Sequence, residues 1–263
     1  MAELSEIRVE IPVAAGDVLA RTNPLSVRLG AMGKRIFDVV LGGFLAAFLT
    51  PLIVLLAVGA TVSLRAWPFF GQYRIGRRGR PFRIFKIRTL PKSAPAYADK
   101  YQIAQTVQVP PYCRWLRQTH LDELPQLYLV VLGRMSLVGP RPEMAMLHEA
   151  IDPDFAALRT SVRPGCSGPW QVGDASGRLI FEAPEYDRFY LLNQTLRLDL
   201  WLLWCTANSV VGIRRGRTLD EVPGWVLRRR AEGSARTIDL VGRTGVMRQP
   251  DECTADFAEA SPA

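Results

Sequence analysis

The sequence predicts an α/β fold, with α+β as the alternative, in which a membrane-associated helical hairpin precedes a compact cytoplasmic domain. Three observations support this prediction: an uncharged apolar run over residues 39–64, a basic, glycine-punctuated segment over 74–88, and an apolar run with tryptophans over 188–211. The first is long enough to enter a bilayer. The second has the pattern of a strand hairpin, and the third that of a helix at a membrane interface.

The run over residues 39–64 predicts a hairpin that enters and leaves the same face of the membrane. A continuous helix of this length would measure about 39 Å, against a hydrocarbon core of about 30 Å. Thr50 and Pro51 divide the run, so each half would reach only about 20 Å. The flanks are basic, which favours the cytoplasmic side for both ends: Lys34 and Arg35 before the run, and Arg65, Arg74, Arg77, Arg78 and Arg80 after it. A proline-kinked full span and a buried core helix are the alternatives.

The other two segments predict elements of the cytoplasmic domain. In the basic segment, Gly76 and Gly79 suit a turn, while Phe82, Ile84 and Phe85 are able to face a core. Its arginines favour lipid headgroups or substrate phosphates, because no nucleic-acid-binding module surrounds them. The tryptophan-bearing segment predicts one broad apolar helix at the interface, with an ordinary core helix as the alternative.

Composition limits the function classes. A net charge of +8 calls for an anionic partner, which is nucleic acid, anionic lipid or a phosphorylated substrate. The four cysteines are scattered and form no C-x-x-C pair. Neither a zinc site nor a disulfide framework is therefore predicted, and a reducing cytoplasm fits.

The chain divides into successive regions. Residues 1–32 are predicted to be a flexible N-terminal lead, because acidic residues precede any apolar run and argue against a secretory signal peptide. Residues 33–65 form the re-entrant hairpin and residues 66–215 the cytoplasmic domain. Residues 216–263 are predicted to be a basic and then mixed-charge tail, partly disordered.

The most informative segment covers residues 117–127, where Asp122 and Glu123 precede Pro125. Thr119 and Asp122 also match the spacing of a helix-capping box, the commoner meaning of this pattern. A helix capped at Thr119 would place Pro125 beyond its first turn, at a cost of roughly 3 kcal/mol. We therefore predict a helix that begins at or near Pro125, with both carboxylates in the preceding turn, where unpaired amides keep a carboxylate ionised and attract phosphate. Consecutive side chains point in different directions, so the two carboxylates are expected to have different roles.

A second rigid motif follows, in which Arg141 stands between Pro140 and Pro142. A planar guanidinium on inflexible backbone suits the binding of phosphate oxygens. A candidate nucleophile and a candidate cation on rigid backbone together suggest phosphoryl chemistry.

These motifs resemble the signature of the bacterial sugar transferases, also called monotopic phosphoglycosyl transferases. The family pattern L-R-x-T-S-L-D-E-L-P-Q-L-x-N-V-L-x-G-x-M-S-L-V-G-P-R-P is matched over residues 116–142, with His120, Leu129 and Arg134 as replacements. Other family motifs follow in order: K-R-x-F-D at 34–38, F-x-Q-x-R-x-G-x-x-G-x-x-F at 70–82, K-F-R-T at 86–89, K-P-G-x-T-G-x-W-Q-V at 163–172, and a late pattern at Asp187, Tyr190, Asn193 and Asp199. The resemblance covers about residues 33–212.

One segment departs from the family. Where the family usually carries R-x-T-x-x-G, this chain has Gln108, Pro110 and Cys113, so a positive charge is missing from a region expected to lie near the site. A catalytically impaired, membrane-anchored binding or scaffold protein of the same fold is therefore the alternative function.

The resemblance implies an enzyme of the inner (cytoplasmic) membrane, with the re-entrant form of the hairpin and the catalytic domain on the cytoplasmic face. It would transfer a sugar 1-phosphate from a nucleotide diphosphate sugar, expected to be a UDP-sugar, to polyprenyl (undecaprenyl) phosphate. This reaction is the first membrane step of exopolysaccharide or other surface glycan synthesis. Asp122 would be the nucleophile and would form an aspartyl-phosphosugar intermediate.

The remaining candidates surround that nucleophile. Glu123 would position Mg²⁺ or assist the acceptor, so Asp122 and Glu123 are the candidate metal ligands. Arg141 would bind the substrate phosphates, with Arg88 and Arg117 as weaker candidates for the same task.

Overall fold

A computed structural model describes residues 24–94, 107–213 and 216–227, except for the side chains of 24–29 and 181. In these residues a long helix precedes a domain of short helices and two two-stranded sheets, which confirms the predicted mixture of helix and strand. The helices are α1 (Pro24–Leu64), α2 (Pro111–Thr119), α3 (Gln126–Val131), α4 (Ala145–Glu149), α5 (Pro153–Thr160), α6 (Pro169–Val172), α7 (Pro184–Asn193) and α8 (Leu196–Val210). The strands are β1 (Phe69–Ile75), β2 (Pro81–Ile87), β3 (Ser136–Val138) and β4 (Gly165–Ser167).

Helix α1 is continuous over 41 residues, and Pro51 lies inside it. The prediction that Thr50 and Pro51 separate two helices is therefore wrong at the level of secondary structure. Pro51 removes the amide donor that would bond to the carbonyl of Ala47. The hydroxyl of Thr50 donates to the neighbouring carbonyl of Ala46 at 2.6 Å and also meets the hydroxyl of Tyr128 at 2.7 Å. By length and composition, the stretch Gly30–Leu64 is sufficient to cross a membrane.

Both halves of α1 are attached to the domain, whereas its outer surface is not covered. Before Pro51, Lys34 Nζ lies 2.6 Å from Asp199 Oδ2. After Pro51, the hydroxyl of Tyr112 donates to the carbonyl of Leu56 at 3.0 Å. The exposed side chains of the helix are large and apolar and suit a lipid environment: Val40, Phe44, Phe48, Leu52, Val54, Leu55, Val58 and Val62.

Strands β1 and β2 form the predicted antiparallel hairpin, with Phe70 opposite Lys86. Successive side chains of β2 point to opposite faces, so Ile84 is buried while Phe85 is 40% exposed. The prediction that Phe85 faces the core is wrong, because Phe85 lies on the face of β2 opposite Phe82 and Ile84, and that face becomes buried only at Ile87. Gly79 takes a φ of +69° in the turn, which glycine adopts at little cost.

Strands β3 and β4 pair in parallel, with Ser136 opposite Gly165. They lie in the main core, where buried side chains of α3, β3 and α8 gather against the first half of α1: Ala46, Leu127, Leu129, Val130, Leu137, Val138, Leu198 and Leu202. This core fixes the strand that leads into the Pro-Arg-Pro motif.

The apolar segment over residues 188–211 contains the end of α7 and all of α8, so the prediction of one helix is wrong. Gln194 leaves the helical region with a ψ of 113°. Thr195 then caps α8, its side chain accepting a hydrogen bond from the amide of Leu198 at 3.1 Å. The cap provides the local reason for a new helix at this point.

Residues 216–227 pack back onto the domain. The amide of Arg217 donates to the carbonyl of Val172 at 3.1 Å. Val226 is fully buried, and its carbonyl accepts from the hydroxyl of Thr195 at 2.7 Å. Packed structure thus continues past residue 215, where the predicted cytoplasmic domain ends. The predicted lead over residues 1–23 and the tail from 228 onward lie outside the described residues.

Candidate active site

The acidic turn, Leu121–Glu123, lies between α2 and α3. Helix α2 ends at Thr119, and the φ of 58° at the following His120 reverses the chain. The amide of Glu123 donates to the carbonyl of His120 at 3.1 Å. Pro125 comes directly before the first residue of α3. The prediction of two carboxylates in a turn before a helix that starts near Pro125 is confirmed.

Asp122 is buried, with 5% of its surface exposed. Burial, followed by the neighbouring charge of Glu123, raises the pKa of Asp122 to about 7, although Lys86 and Arg117 act in the opposite direction. The prediction that this turn keeps the carboxylate ionised is therefore wrong for Asp122, because the loss of hydration outweighs any help from the end of a six-residue helix.

Glu123 differs from its neighbour in pKa and in partners. Its Oε1 lies 3.6 Å from Nη2 of Arg141. Burial acts to raise the pKa of Glu123, but Arg141 and then Lys86 more than offset this effect, so the pKa falls below the usual value. Near neutral pH, Asp122 is thus partly protonated, while Glu123 stays ionised.

The backbone of Arg141 is fixed by a buried ion pair between Arg159 and Asp187. Its carbonyl accepts a hydrogen bond from Nη2 of Arg159 at 2.9 Å, and Nε of Arg159 lies 2.7 Å from Oδ2 of the fully buried Asp187. The Arg141 guanidinium itself lies over the ring of Trp170, 5.5 Å from its centroid. Asp187, which belongs to the late family motif, therefore fixes the backbone that carries Arg141.

The loop that carries Arg141 packs directly onto the backbone of β4. A Cβ at Gly165 would overlap the amide nitrogen of Gly139, and a Cβ at Gly168 would overlap the carbonyl oxygen of Gly139. Only glycine permits this approach, which places Pro140 and Arg141 beside the acidic turn.

The two weaker candidates occupy different places. Arg117 donates to the hydroxyl of Thr89 at 3.4 Å and acts electrostatically on Asp122. Arg88 donates instead to the carbonyl of Trp67 at 3.0 Å and lies over the ring of Phe70. The structure therefore joins Arg117, but not Arg88, to the acidic turn.

Sequence reasoning connected the basic β1–β2 segment with lipid headgroups or substrate phosphates, but it did not single out Arg74 or Lys86 as site residues. Arg74 donates to the side-chain oxygen of Gln72 at 2.8 Å and lies 3.9 Å from Glu143. Lys86 faces the acidic turn, and its charge lowers the pKa of both carboxylates there. A signal was present, because alternation along β2 puts Lys86 on the same face as the buried Phe82.

The segment that departs from the family has a structural role here. Tyr112 binds the carbonyl of Leu56 in α1, and a Cβ at Gly59 would meet the Tyr112 ring at 2.6 Å. Cys113 is completely buried. The replaced residues thus dock α2 against the second half of α1.

A buried polar joint, defined by Lys34, Asp38, Ser136 and Asp199, connects the first half of α1 to strand β3. Asp38 accepts hydrogen bonds from the Ser136 hydroxyl at 2.8 Å and from the Leu137 amide at 3.1 Å. Lys34 binds Asp199 at 2.6 Å. The family motif K-R-x-F-D therefore fixes the strand that ends just before the Pro-Arg-Pro motif.

The acidic turn fits a magnesium ion in one respect. Over the ranges that the structure describes, no group of three or more histidine, cysteine or acidic side chains could hold a metal ion. Mg²⁺ nevertheless needs only one or two protein carboxylates when substrate phosphates complete its coordination. Asp122 and Glu123 supply such a pair, and a cation beside them would relieve the repulsion by Glu123 that, after burial, raises the pKa of Asp122.

Comparisons with known proteins assign the chain to a family. The family model of bacterial sugar transferases matches residues 29–212. The chain is 31% identical over 197 residues to the exopolysaccharide production protein ExoY of Sinorhizobium fredii, covering 69% of this chain and 87% of that protein. It is 31% identical over 214 residues to the UDP-galactose-lipid carrier transferase of Erwinia amylovora, covering 74% of this chain and 43% of that protein. It is 34% identical over 179 residues to the undecaprenyl-phosphate glucose phosphotransferase of Komagataeibacter xylinus, covering 65% of this chain and 33% of that protein. The chain thus spans less than half of the latter two proteins. It belongs to the bacterial sugar transferases, a family of phosphoglycosyl transferases.

Proposed function

We propose that this protein transfers a sugar 1-phosphate from a UDP-sugar to undecaprenyl phosphate through an intermediate on Asp122. The observation that carries the proposal is the buried Asp122 beside a Glu123–Arg141 ion pair, in a member of this family. The names of the Erwinia and Komagataeibacter relatives support the donor and acceptor classes. The ExoY relative supports a role in exopolysaccharide synthesis.

In the first step, an oxygen of the Asp122 carboxylate attacks the phosphorus next to the sugar. The new O–P bond forms as the bond from that phosphorus to the bridging oxygen breaks, and UMP leaves with the electron pair. Burial favours this attack, since it withdraws the water that would solvate the carboxylate in the ground state. Arg141 and Arg117 would neutralise charge on the phosphate oxygens.

In the second step, an oxygen of undecaprenyl phosphate attacks the same phosphorus. The Asp122 oxygen leaves as a carboxylate, and the product is a lipid diphosphate sugar. No net proton transfer is required in either step. Asp122 and Glu123 would hold Mg²⁺, which, when bound, would offset the negative charge of the phosphates. Glu123 stays ionised beside Arg141 and is therefore suited to binding and orientation.

We also propose that α1 enters the membrane and leaves it again on the same face. The catalytic domain would then lie on the cytoplasmic face of the inner membrane. From Lys34 to Leu56 a straight helix would rise about 33 Å, as much as the hydrocarbon core. A straight span would carry one of these residues to the far side. Both residues contact the same domain, which supports a helix bent near Thr50 and Pro51.

Labelling tests this topology. Cysteines introduced at Ser26 and Ala94, which flank the apolar run, should both react only from the cytoplasmic side. A cysteine introduced at exposed Val62, inside the apolar run, should react slowly with polar reagents. Labelling of positions 26 and 94 from opposite sides would rule out the re-entrant form.

The activity is tested with purified protein in detergent, a panel of UDP-sugars, undecaprenyl phosphate and Mg²⁺, following the release of UMP. Without acceptor, a labelled donor should leave sugar phosphate on Asp122, detectable by mass spectrometry under conditions that preserve acyl phosphates. Asp122→Asn should abolish both signals, since an amide cannot readily attack phosphorus. Near-normal turnover by this variant would require direct attack by the lipid phosphate instead. Silence of the folded wild type across the panel would favour the scaffold alternative.

A further inference from the structure

We propose that Lys86 binds the sugar-bearing phosphate of the donor, an inference that rests on the function proposed above. Lys86 lies near the end of β2, opposite Phe70 of β1. It points to the same face of the strand as Phe82 and Ile84, which are buried in the main core. A lysine at an inward-facing strand position is unusual unless the charge meets a specific partner.

The inward direction brings the ammonium to the acidic turn. Strand β2 packs against Leu121–Glu123, and the positive charge of Lys86 acts on both carboxylates. On its other side, Lys86 Nζ lies 5.6 Å from the ring centroid of Phe70. The guanidinium of Arg88 lies over the same ring at 5.5 Å. Lys86 and Arg88 thus lie over the same Phe70 ring, but it is the Lys86 ammonium that acts on the carboxylates of the acidic turn.

The ammonium of Lys86 carries three donors but lacks an acceptor. Within the described ranges it makes no hydrogen bond and no close ion pair. The other cations of the site do have partners, because Arg141 is paired with Glu123 and Arg117 donates to Thr89. Lys86 is partly buried, but its Nζ keeps access to solvent, so a phosphate oxygen entering the site can replace water as the acceptor.

The position beside Asp122 selects one of the two donor phosphates. The nucleophile attacks the phosphorus next to the sugar, so the oxygens on that phosphorus lie closest to the acidic turn. The same phosphate stays on Asp122 after UMP has left. Lys86 therefore binds a group that UDP and the UDP-sugar carry and that UMP lacks.

This difference allows a sharp test by titration calorimetry of the full-length protein with UDP and with UMP, both with Mg²⁺. Lys86→Gln should weaken UDP binding about tenfold or more, as expected for the loss of a charge-assisted hydrogen bond, and leave UMP affinity within about twofold. Lys86→Arg, which keeps the charge, should recover part of the UDP affinity. Unchanged UMP affinity also shows that the variant is folded.

Two matched variants control for loss of charge alone. Lys92→Gln removes an exposed lysine, and Arg83→Gln removes a cation from the opposite face of β2, so neither should change the affinity for UDP. Equal loss of UDP and UMP binding by Lys86→Gln, or no loss of either, overturns the assignment.

Turnover separates this inference from the proposed function. If wild type releases UMP from a UDP-sugar and Lys86→Gln does so at the same rate and donor affinity, only the assignment of Lys86 fails. If wild type neither binds UDP nor releases UMP from any donor, the proposed function fails and the assignment of Lys86 fails with it.

Discussion

Replacing Asp122 by asparagine should make the folded protein more stable near pH 8, although it removes the candidate nucleophile. The buried carboxyl has a pKa of about 7, raised from the usual 3.8. Such a group binds its proton more tightly in the folded state than in the unfolded state. Its contribution to stability is present below the unfolded pKa and is lost as the pH rises through about 7. Asparagine keeps the shape of the neutral acid and cannot ionise.

Linkage gives the size of the effect. The rise in the pKa of Asp122 corresponds to a loss of about 4 kcal/mol near pH 8, under about 2 kcal/mol near pH 5 and close to zero near pH 3. Because Asp122 and Glu123 interact strongly, we expect Asp122→Asn to raise the free energy of unfolding by about 2–4 kcal/mol near pH 8. The gain should shrink toward acidic pH, where the wild-type carboxyl is already protonated in the fold.

Chemical and thermal unfolding in detergent measures this difference, with chelator present and without nucleotide. Asp220→Asn is the matched control, since Asp220 is exposed and a hydrogen bond with Thr218 lowers its pKa. That substitution should bring no gain near pH 8. If Asp122→Asn is no more stable than wild type near pH 8, or gains as much near pH 5, Asp122 is not a destabilising buried carboxylate and the reasoning fails.

The rate of donor use should fall in acid, because protonated Asp122 cannot attack phosphorus. With Mg²⁺ bound, the midpoint of this fall should lie below the pKa of about 7 that Asp122 has without a metal ion. Initial rates of UMP release at low donor concentration measure this, and a flat profile would contradict it. Arg159→Met should lower the free energy of unfolding by about 3–5 kcal/mol, because it leaves Asp187 buried without its partner. Denaturant titration measures that loss, and adding Asp187→Leu should restore much of it. A loss that persists unchanged in the double variant would show that the ion pair is not its source.

Local chemistry made part of this structure predictable from the sequence. The hairpin of β1 and β2 follows from alternation around two glycines, and the acidic turn follows from the position of Pro125, which excludes a helix through Asp122. The placement of Arg141 beside Glu123 is a contact between distant segments. Local spacing does not specify this contact, although the chemistry of the two motifs and the family resemblance both suggested that they act together.

The errors arose where tertiary contacts or single hydrogen bonds decide the outcome. Pro51 was expected to end a helix, but α1 continues through it, and the helix contacts the domain on both sides of the proline. Asp122 was expected to stay ionised from its position before α3, but the extent of its burial depends on segments that pack over it from elsewhere in the chain. Burial of this kind cannot be inferred from the spacing of residues in the sequence.

Tertiary contacts also decide the role of the two basic residues that precede the apolar run of α1, and these contacts connect α1 with the candidate active site. The sequence suggested that Lys34 and Arg35 mark the cytoplasmic flank of the apolar run. The Arg35 guanidinium instead donates to the carbonyls of Val130 at 2.8 Å and Val131 at 3.1 Å, at the C-terminal end of α3.

Helix α3 is six residues long, so its other end lies about 9 Å away, next to the acidic turn. One end of this helix is therefore fixed to the membrane-associated helix, and the other follows Asp122 and Glu123. The joint of Lys34 and Asp38 fixes β3, and with it Arg141, to the same part of α1. Under the proposed function, α1 thus sets the height of both the nucleophile and its arginine above the lipid surface, where the phosphate of a polyprenyl acceptor lies.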